Sequence, residues 1–224
     1  MREPIVLSWS GGKDSSLALA TLRADPDVEV ISLLTSVTRG YERISIHGVR
    51  RSLLRAQAEA VRLPLHEFTI DPGCSNDAYE AAFLAAVAQV RVNHPTLTRL
   101  AFGDLFLREV RDYRERLLER GGVSGLFPLW DMDTRALAER FVADGYRARL
   151  VCVDTTQLSG TFAGRSFDRD FLAELPASVD PCGERGEFHT FVSDGPIFAE
   201  PVAYQVGEQV LRDDRFAYCD LLEP

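Results

Sequence analysis

One short segment near the start of the chain limits what the remainder can fold into. Residues 5–16 spell Ile-Val-Leu-Ser-Trp-Ser-Gly-Gly-Lys-Asp-Ser-Ser, an apolar strand that runs into a glycine turn and then into a helix start. Glycine adopts backbone angles that a Cβ atom disfavours and lets an anion approach the main chain. The free N–H groups and the dipole of a helix start attract negative charge. The segment therefore predicts a phosphate cradle, whose expected nucleotide-binding residues are Ser10, Gly11, Gly12, Lys13, Asp14, Ser15 and Ser16.

Two widespread nucleotide motifs are absent. The phosphate loop of NTPases has a glycine five places before its Gly-Lys pair, where this chain has Leu7, and no Gly-x-Gly-x-x-Gly occurs. The alternative explanation of the segment is a plain Gly-Gly turn with an Asp or Ser helix cap. Lys13 is the single lysine of the chain, and all other basic residues are arginine. This usage favours a need for a compact, flexible ammonium at that point.

Composition excludes several classes of protein. The chain has 224 residues, of which 46% are hydrophobic and 26% charged, as in ordinary globular proteins. A net charge of −9 argues against a surface that binds nucleic acid. No apolar run is long enough to span a bilayer, so no membrane partner is expected. The cysteines occur singly, without a zinc-type or redox pair, and this favours a cytoplasmic protein; they are Cys74, Cys152, Cys182 and Cys219.

Strands and helices alternate over the first half of the chain. Apolar strands at 28–34, 65–70 and about 100–102 are separated by helical patterns, the longest of which begins at Asn76 and runs to about residue 91. This alternation predicts an α/β fold with a doubly wound parallel sheet, whose ligand lies beyond the carboxyl ends of the strands. Ser36 and Gly103 each follow such a strand and are expected at the nucleotide.

The pattern changes beyond Leu126. The later region is richer in Gly, Pro and Phe and has only short apolar segments. We therefore predict a nucleotide-binding domain at 1–126 and a smaller domain at 127–224.

A second motif lies far from the first, at residues 180–191, Asp-Pro-Cys-Gly-Glu-Arg-Gly-Glu-Phe-His-Thr-Phe. Together with Ser-Gly-Gly-Lys-Asp-Ser, it resembles the diphthine–ammonia ligase family of N-type ATP pyrophosphatases, whose later domain has the signature Gly-Glu-x-Gly-Glu-Phe-Glu-Thr. The resemblance extends over nearly the whole chain and includes the segments Phe102–Asp104, Tyr113–Arg114 and Pro128–Trp130.

The resemblance implies a Rossmann-like ATP domain followed by a smaller α+β domain. It also implies a reaction in which ATP and a carboxylate give an acyl adenylate and pyrophosphate, and ammonia then displaces AMP to leave an amide. ATP and Mg²⁺ are the expected cofactors. The chain departs from the family at His189, where the signature has Glu, and at Trp130–Asp133. The acceptor, a small-molecule or protein-borne carboxylate, is therefore left open, and no oligomeric state follows.

Five residues are the candidate catalytic groups, and all except Lys13 have an alternative role. Lys13 would neutralise the leaving pyrophosphate, whereas Asp14 would orient the loop or bind the metal, or would only stabilise the helix start. Glu184 and Glu187 would share a pocket for ammonium, an amine or a second metal, or would be solvated loop carboxylates. His189 would act as a base on ammonia, or would be a strand residue with a backbone partner.

His47 is a further candidate for nucleotide binding, because the family has a His-Thr element near this position. A solvated helix face explains the charged residues around it equally well. Cys182 has no basic sequence neighbour except Arg185 to lower the pKa of its thiol, so it is a poor candidate nucleophile. The alternative function for the whole chain is a non-catalytic ATP- or AMP-binding sensor, which requires no carboxylate pocket.

Overall fold

The structure is a computed structural model that describes residues 2–41, 43–44 and 48–224. The prediction for His47 lies outside the described residues. Six strands of the N-terminal half belong to one sheet: β1 Glu3–Ser8, β2 Val28–Thr38, β3 Arg43–Ile44, β4 Leu65–Ile70, β5 Arg99–Ala101 and β6 Ser124–Leu126.

Five of these strands are parallel, in the order β4-β2-β1-β5-β6, and β3 pairs antiparallel with the end of β2. The connections step outward in one direction from β1 to β4 and in the other from β5 to β6. The direction reverses between β1 and β5, and crevices for ligands form at such a reversal, beyond the carboxyl ends of the strands. The glycine turn that follows β1 lies at this point.

Helices cover both faces of the parallel sheet. They are α1 Lys13–Ala24, α2 Arg51–Ala60, α3 Asn76–Asn93 and α4 Arg108–Arg120. Leu17 of α1 and Leu53 of α2 belong to one buried cluster, whereas Phe83 of α3 and Leu117 of α4 belong to another. The predicted doubly wound α/β arrangement is therefore confirmed. No helix in the described part of the chain is long and apolar enough to cross a membrane.

The C-terminal part forms a smaller α+β unit, as expected. Its elements are α5 Thr134–Ala143, β7 Arg147–Asp154, a 3₁₀ turn at Gly160–Phe162, α6 Arg169–Glu174, β8 Phe188–Asp194, β9 Gln205–Arg212 and β10 Phe216–Leu222. Its strands make an antiparallel sheet in the order β8-β7-β10-β9. Phe141, Phe171 and Phe188 of this unit belong to the same buried cluster as Leu17 and Leu53. The two parts of the chain thus share a core, and strand β8 lies against the start of α1.

Candidate functional site

Close backbone approaches explain the glycines of the site. Gly11 has φ +75°, and a Cβ atom there would lie 2.3 Å from Oε1 of Gln57. At the end of β5, a Cβ atom on Gly103 would lie 2.8 Å from the carbonyl carbon of Asp14. Neither position accepts a larger residue without movement of its neighbours. Gly11 therefore lets the turn after β1 approach α2, and Gly103 lets the loop after β5 approach the start of α1.

Hydroxyl groups organise the turn itself. Gly12 N donates to Ser10 Oγ at 3.3 Å, and Ser10 Oγ lies 3.2 Å from Ser15 Oγ. Ser15 and Ser16 each donate to the carbonyl of Gly12, at 2.9 and 3.0 Å. Ser10 and Ser15 border the cavity in front of the turn, but Ser16 is fully buried behind it. The structure therefore does not bring Ser16 to the position expected of a phosphate-binding hydroxyl.

Lys13 is buried, with only 2% of its surface exposed. Its Nζ lies 2.8 Å from each carboxylate oxygen of Asp14 and also donates to the backbone carbonyl of Cys182 in the C-terminal unit. Burial by itself lowers the pKa of Lys13, but the attraction of nearby acidic groups, Asp14 foremost, outweighs burial and raises it. The side chain is therefore an ammonium ion that links the turn to the loop at residues 180–187.

Two buried carboxylates shape that loop. Both oxygens of Glu187 accept backbone hydrogen bonds, from Asp180 N and from Arg185 N, each at 2.9 Å. Asp180 Oδ1 in turn accepts from Cys182 N at 2.9 Å and from Glu184 N at 3.3 Å. Glu187 is 1% exposed and does not border the cavity. Its contacts are those of a residue that positions the loop.

Glu184 points the other way, into the cleft between the two parts of the chain. Its Oε1 accepts a hydrogen bond of 2.8 Å from Leu105 N, in the loop that follows β5. Burial, with a smaller contribution from the Asp14 carboxylate, raises the pKa of Glu184 to about 7. A group with this pKa can take up and release a proton near neutral pH, as a general acid or base must.

Strand β8 contributes two neighbouring side chains. His189 borders the cavity, and burial, together with repulsion from the Lys13 ammonium, lowers its pKa to about 4, so the imidazole is neutral at physiological pH. Thr190 Oγ1 accepts a hydrogen bond of 3.0 Å from Lys13 N. The first N–H group of α1 is thus capped by a side chain 177 residues further along the chain.

Gln57 of α2 is a site residue that the sequence analysis missed. It is fully buried, and its Oε1 accepts from Trp9 Nε1 at 3.1 Å. Its Nε2 donates to the carbonyls of Gly11, at 2.9 Å, and of Val192 in β8, at 2.5 Å. The available signal was a single polar residue on the apolar face of a helix, between Leu54 and Ala58. Buried amides in such places need partners, and here the partners lie on the turn and on β8.

Two adjoining cavities open in front of the turn. One of about 220 Å³ lies between the turn, the loop after β5 and β8. The other, of about 480 Å³, lies between the end of β2 and helices α3 and α4, and it includes Ser36. Arg114 borders both cavities, where its guanidinium pairs with Asp104 at 2.6 and 3.1 Å and lies over the Phe102 ring. Together the cavities form a cleft with cationic groups at its narrow end.

The cleft gathers most of the predicted site residues. Those that border the smaller cavity are Ser10, Gly12, Lys13, Asp14, Ser15, Gly103, Glu184 and His189. The thiol of Cys182 lies close by, but burial raises its pKa to about 12. Its Sγ donates to the carbonyl of Thr134 at 3.2 Å. As the sequence indicates, it has no features of a nucleophile.

The acidic groups of the cleft do not form a metal cage. Asp14 pairs with Lys13, and Asp104 pairs with Arg114. Among the described residues, no group of three or more His, Cys, Asp or Glu side chains is arranged to hold a metal ion. The arrangement fits a Mg²⁺ ion that is bound together with a nucleotide. Phosphate oxygens, water and one or two carboxylates would then be its ligands.

Comparison with known families agrees with this arrangement. The family model described as the diphthamide synthase N-terminal domain matches residues 2–125, and the model of the C-terminal domain matches residues 133–220. The chain belongs to the diphthamide synthase family. The resemblance inferred from the two motifs is therefore confirmed, and with it the expectation of a family of ATP-dependent ligases.

Several relatives of this diphthamide synthase family member are named diphthine–ammonia ligase. The protein of Schizosaccharomyces pombe is 26% identical over 219 residues, which cover 86% of this chain but only 34% of the relative. The protein of Rattus norvegicus is 25% identical over 237 residues, covering 93% of this chain and 85% of the relative, and that of Homo sapiens is 24% identical with the same coverage. The chain thus spans about a third of the fission yeast protein and most of the mammalian ones.

Proposed function

We propose that this chain is an ATP-dependent ligase that activates a carboxylate as an acyl adenylate, with release of pyrophosphate, and then forms an amide as ammonia displaces AMP. The observation that carries this proposal is the phosphate cradle at the reversal point of the parallel sheet, open to two adjoining cavities and faced by Glu184 and His189. In this arrangement residues 1–126 bind ATP, and residues 127–224 complete the cleft.

The shape of the cleft suggests how ATP lies in it. We place the adenosine in the larger cavity, next to Ser36, and the phosphates in the smaller one, against the turn. Lys13 and Arg114 then lie where negative charge grows as pyrophosphate leaves the α phosphorus. Preorganised cations at such a position stabilise the transition state more than the ground state, and this difference accelerates the step.

A magnesium ion bound with ATP would neutralise part of the phosphate charge. Asp14 and Asp104 are the cleft carboxylates nearest to the cradle that would hold it, but both are paired with cations in the structure. The contribution of the chain is therefore to orient and enclose the phosphates.

The second step requires neutral ammonia, so the ammonium ion must first lose a proton. Glu184, with a pKa of about 7, is the group that we assign to take up this proton from ammonium. His189 is neutral and contributes a hydrogen-bonding ring to the same cavity. Glu187, whose oxygens both accept bonds from its own loop, holds Asp180 and Arg185 in place, and Asp180 in turn accepts a hydrogen bond from Glu184 N.

The names of the relatives specify diphthine as their acceptor. For this chain we propose the same class of reaction, on a small-molecule or protein-borne carboxylate. The family signature has Glu at the position of His189, so we assign part of the acceptor preference to this side chain. Replacement by His189→Glu is expected to shift the preferred acceptor without changing adenylate formation.

Product analysis tests the proposed function. Purified protein with ATP, Mg²⁺, an ammonium salt and a panel of carboxylates, including diphthine-bearing protein, is expected to release AMP and pyrophosphate in amounts equal to the amide formed. Release of ADP and phosphate would refute the proposal. Tight binding of ATP without turnover on any acceptor would instead support the sensor alternative.

A further inference from the structure

Strand β9 forms an open, apolar edge of the smaller sheet. It pairs with β10 on one side only and ends the order β8-β7-β10-β9. Six large hydrophobic side chains in the described residues are exposed, and three of them lie on this strand, namely Val206, Val210 and Leu211. Edge strands are usually protected by charged residues, proline or bulges; β9 has no lysine or proline, and its one bulge and its charges at Glu208 and Arg212 leave Val210 and Leu211 exposed. Exposed apolar residues gathered on such an edge indicate an interaction surface.

The regular part of this edge is short and well defined. Gln209 pairs with Cys219, but the next pair joins Val206 to Leu221, so β9 has one extra residue at this point. The bulge falls at Gly207 and Glu208, and the register with β10 is regular from Gln209 to Arg212; we call residues 208–212 the β9 edge. Glu208, Val210 and Arg212 share one face of it and border the same cavity of about 350 Å³.

We propose that the β9 edge pairs antiparallel with the β9 edge of a second copy of this chain. Two identical antiparallel strands in one sheet are related by a two-fold axis perpendicular to the sheet. This axis keeps each side chain on its own face of the sheet, so one residue must lie opposite the same residue of the second copy. Two-fold dimers of this kind are the commonest form of oligomer, and the joined sheets would have eight strands.

Charge decides which residue lies at the centre. If Val210 is central, Glu208 lies opposite Arg212 of the partner subunit, and this pair occurs twice. If Leu211 is central, Arg212 lies opposite Val210 and has no charged partner, and Glu208 lies opposite the position of Asp214, an acidic residue in the turn beyond β9. If Gln209 is central, Glu208 lies opposite Val210 and has no charged partner. Opposite charges directly across a strand pair stabilise it and like charges destabilise it, so the pairing is centred on Val210.

Both charged groups are available for this contact. Neither Glu208 nor Arg212 takes part in an ion pair among the residues that the structure describes, and both are exposed. The guanidinium of Arg212 lies 5.8 Å from the centre of the Tyr218 ring, on the face that Val210 shares. The neighbouring Tyr41 is also exposed and borders the same cavity.

Charge reversal tests the pairing by sedimentation of the full chain over a wide concentration range at low salt. The wild-type chain is expected to change with concentration from a 25.0 kDa monomer to a dimer. Glu208→Arg and Arg212→Glu place like charges across both pairs, so each variant alone is expected to dimerise roughly tenfold more weakly or worse. An equimolar mixture of the two variants restores two opposite-charge pairs and is expected to form a heterodimer at least as tight as the wild-type dimer.

Matched controls come from α4, where Glu119→Arg and Arg116→Glu make the same charge changes on exposed residues. Neither control, nor their mixture, is expected to alter the association. At concentrations where the chain is monomeric, each variant should keep the wild-type melting temperature, since all four side chains are exposed. A wild-type chain that stays monomeric at every concentration would overturn the proposal. A dimer that neither charge reversal weakens, or variants that fail to combine on mixing, would overturn it as well.

Discussion

The amide of Gln57 is expected to contribute both to stability and to the shape of the phosphate cradle. Gln57→Met keeps the volume of the side chain but removes three hydrogen bonds. Gln57 Oε1 no longer accepts from Trp9 Nε1, and Gln57 Nε2 no longer donates to the carbonyls of Gly11 and Val192. The Gly11 carbonyl retains a bond of 2.9 Å from Val192 N. The indole N–H of Trp9 has no other partner among the described residues, so it becomes a buried, unsatisfied donor.

The size of this effect follows from the individual groups. An unsatisfied buried polar group costs about 1–3 kcal/mol, and a lost hydrogen bond costs about 1 kcal/mol. We therefore expect Gln57→Met to lower the free energy of unfolding by about 3 kcal/mol, which corresponds to roughly 6–12 °C in melting temperature for a chain of this length. Denaturant unfolding measures the first quantity, and calorimetric titration of ATP is expected to show weaker binding, because the turn is no longer held at Gly11.

A double-mutant cycle separates the loss of the Gln57–Trp9 hydrogen bond from a general loss of packing. Trp9→Phe removes the donor that Gln57→Met leaves unsatisfied, so the double variant is expected to be less destabilised than the sum of the single variants. Adenosine, which has no phosphates, serves as the ligand control for Gln57→Met and should bind to it as tightly as to the wild-type chain. The Trp9 variants are left out of this control, because Trp9 borders the cavity in which we place the adenosine. Strict additivity, or a loss below about 0.5 kcal/mol for Gln57→Met, as at ordinary surface positions, would refute the reasoning.

Three further predictions concern the cleft. Lys13→Ala is expected to lower the rate of AMP release roughly a hundredfold or more, as does loss of other preorganised donors, while circular dichroism still shows a folded chain; an equally active variant would contradict the assignment. The raised pKa of Glu184 means that the folded state binds a proton more tightly than the unfolded state, so the free energy of unfolding should fall as pH rises from about 4.5 towards 7. Denaturant titrations should show that this free energy depends less on pH in Glu184→Gln. The increase of amide formation with pH should also disappear in this variant. Thr190→Val removes the acceptor of Lys13 N at nearly constant shape and is expected to cost about 1 kcal/mol and weaken ATP binding, whereas Thr190→Ser should restore both in the same titrations.

Local signals predicted the parts of the site that are local in the chain. The strand, glycine turn and helix start of residues 5–16 are adjacent, so their order alone indicates the cradle. Strand β9 had no such signal, because its residues are exposed on both faces and lack a regular apolar alternation. The contacts of Gln57 could not be predicted from the sequence for another reason. Its partners lie 46, 48 and 135 residues away, and no short pattern relates them.

The two glutamates of the second motif show where spacing misleads. Three residues apart and bracketed by glycine, Glu184 and Glu187 were expected to share one pocket. Gly183 and Gly186 both have positive φ, at +69° and +83°, and the backbone turns at each of them. Glu184 therefore faces the loop after β5, whereas Glu187 faces the backbone of its own loop. Only the backbone path, which the sequence does not display, separates a cleft carboxylate from one that positions the loop.

The proposed nucleotide cradle is hydrogen-bonded to the C-terminal part of the chain, although its sequence motif lies in the N-terminal part. The Gly11 carbonyl accepts from Val192 N, and Lys13 N donates to Thr190, so β8 is bonded to the turn at two adjacent points. The same buried cluster continues from α1 and α2 into the C-terminal unit. Under the proposed function, a change in the position of β8 is expected to shift the turn that would face phosphate, because β8 is bonded to the Gly11 carbonyl and to Lys13 N. This shared bonding explains why two motifs separated by more than 160 residues of sequence border a single cleft.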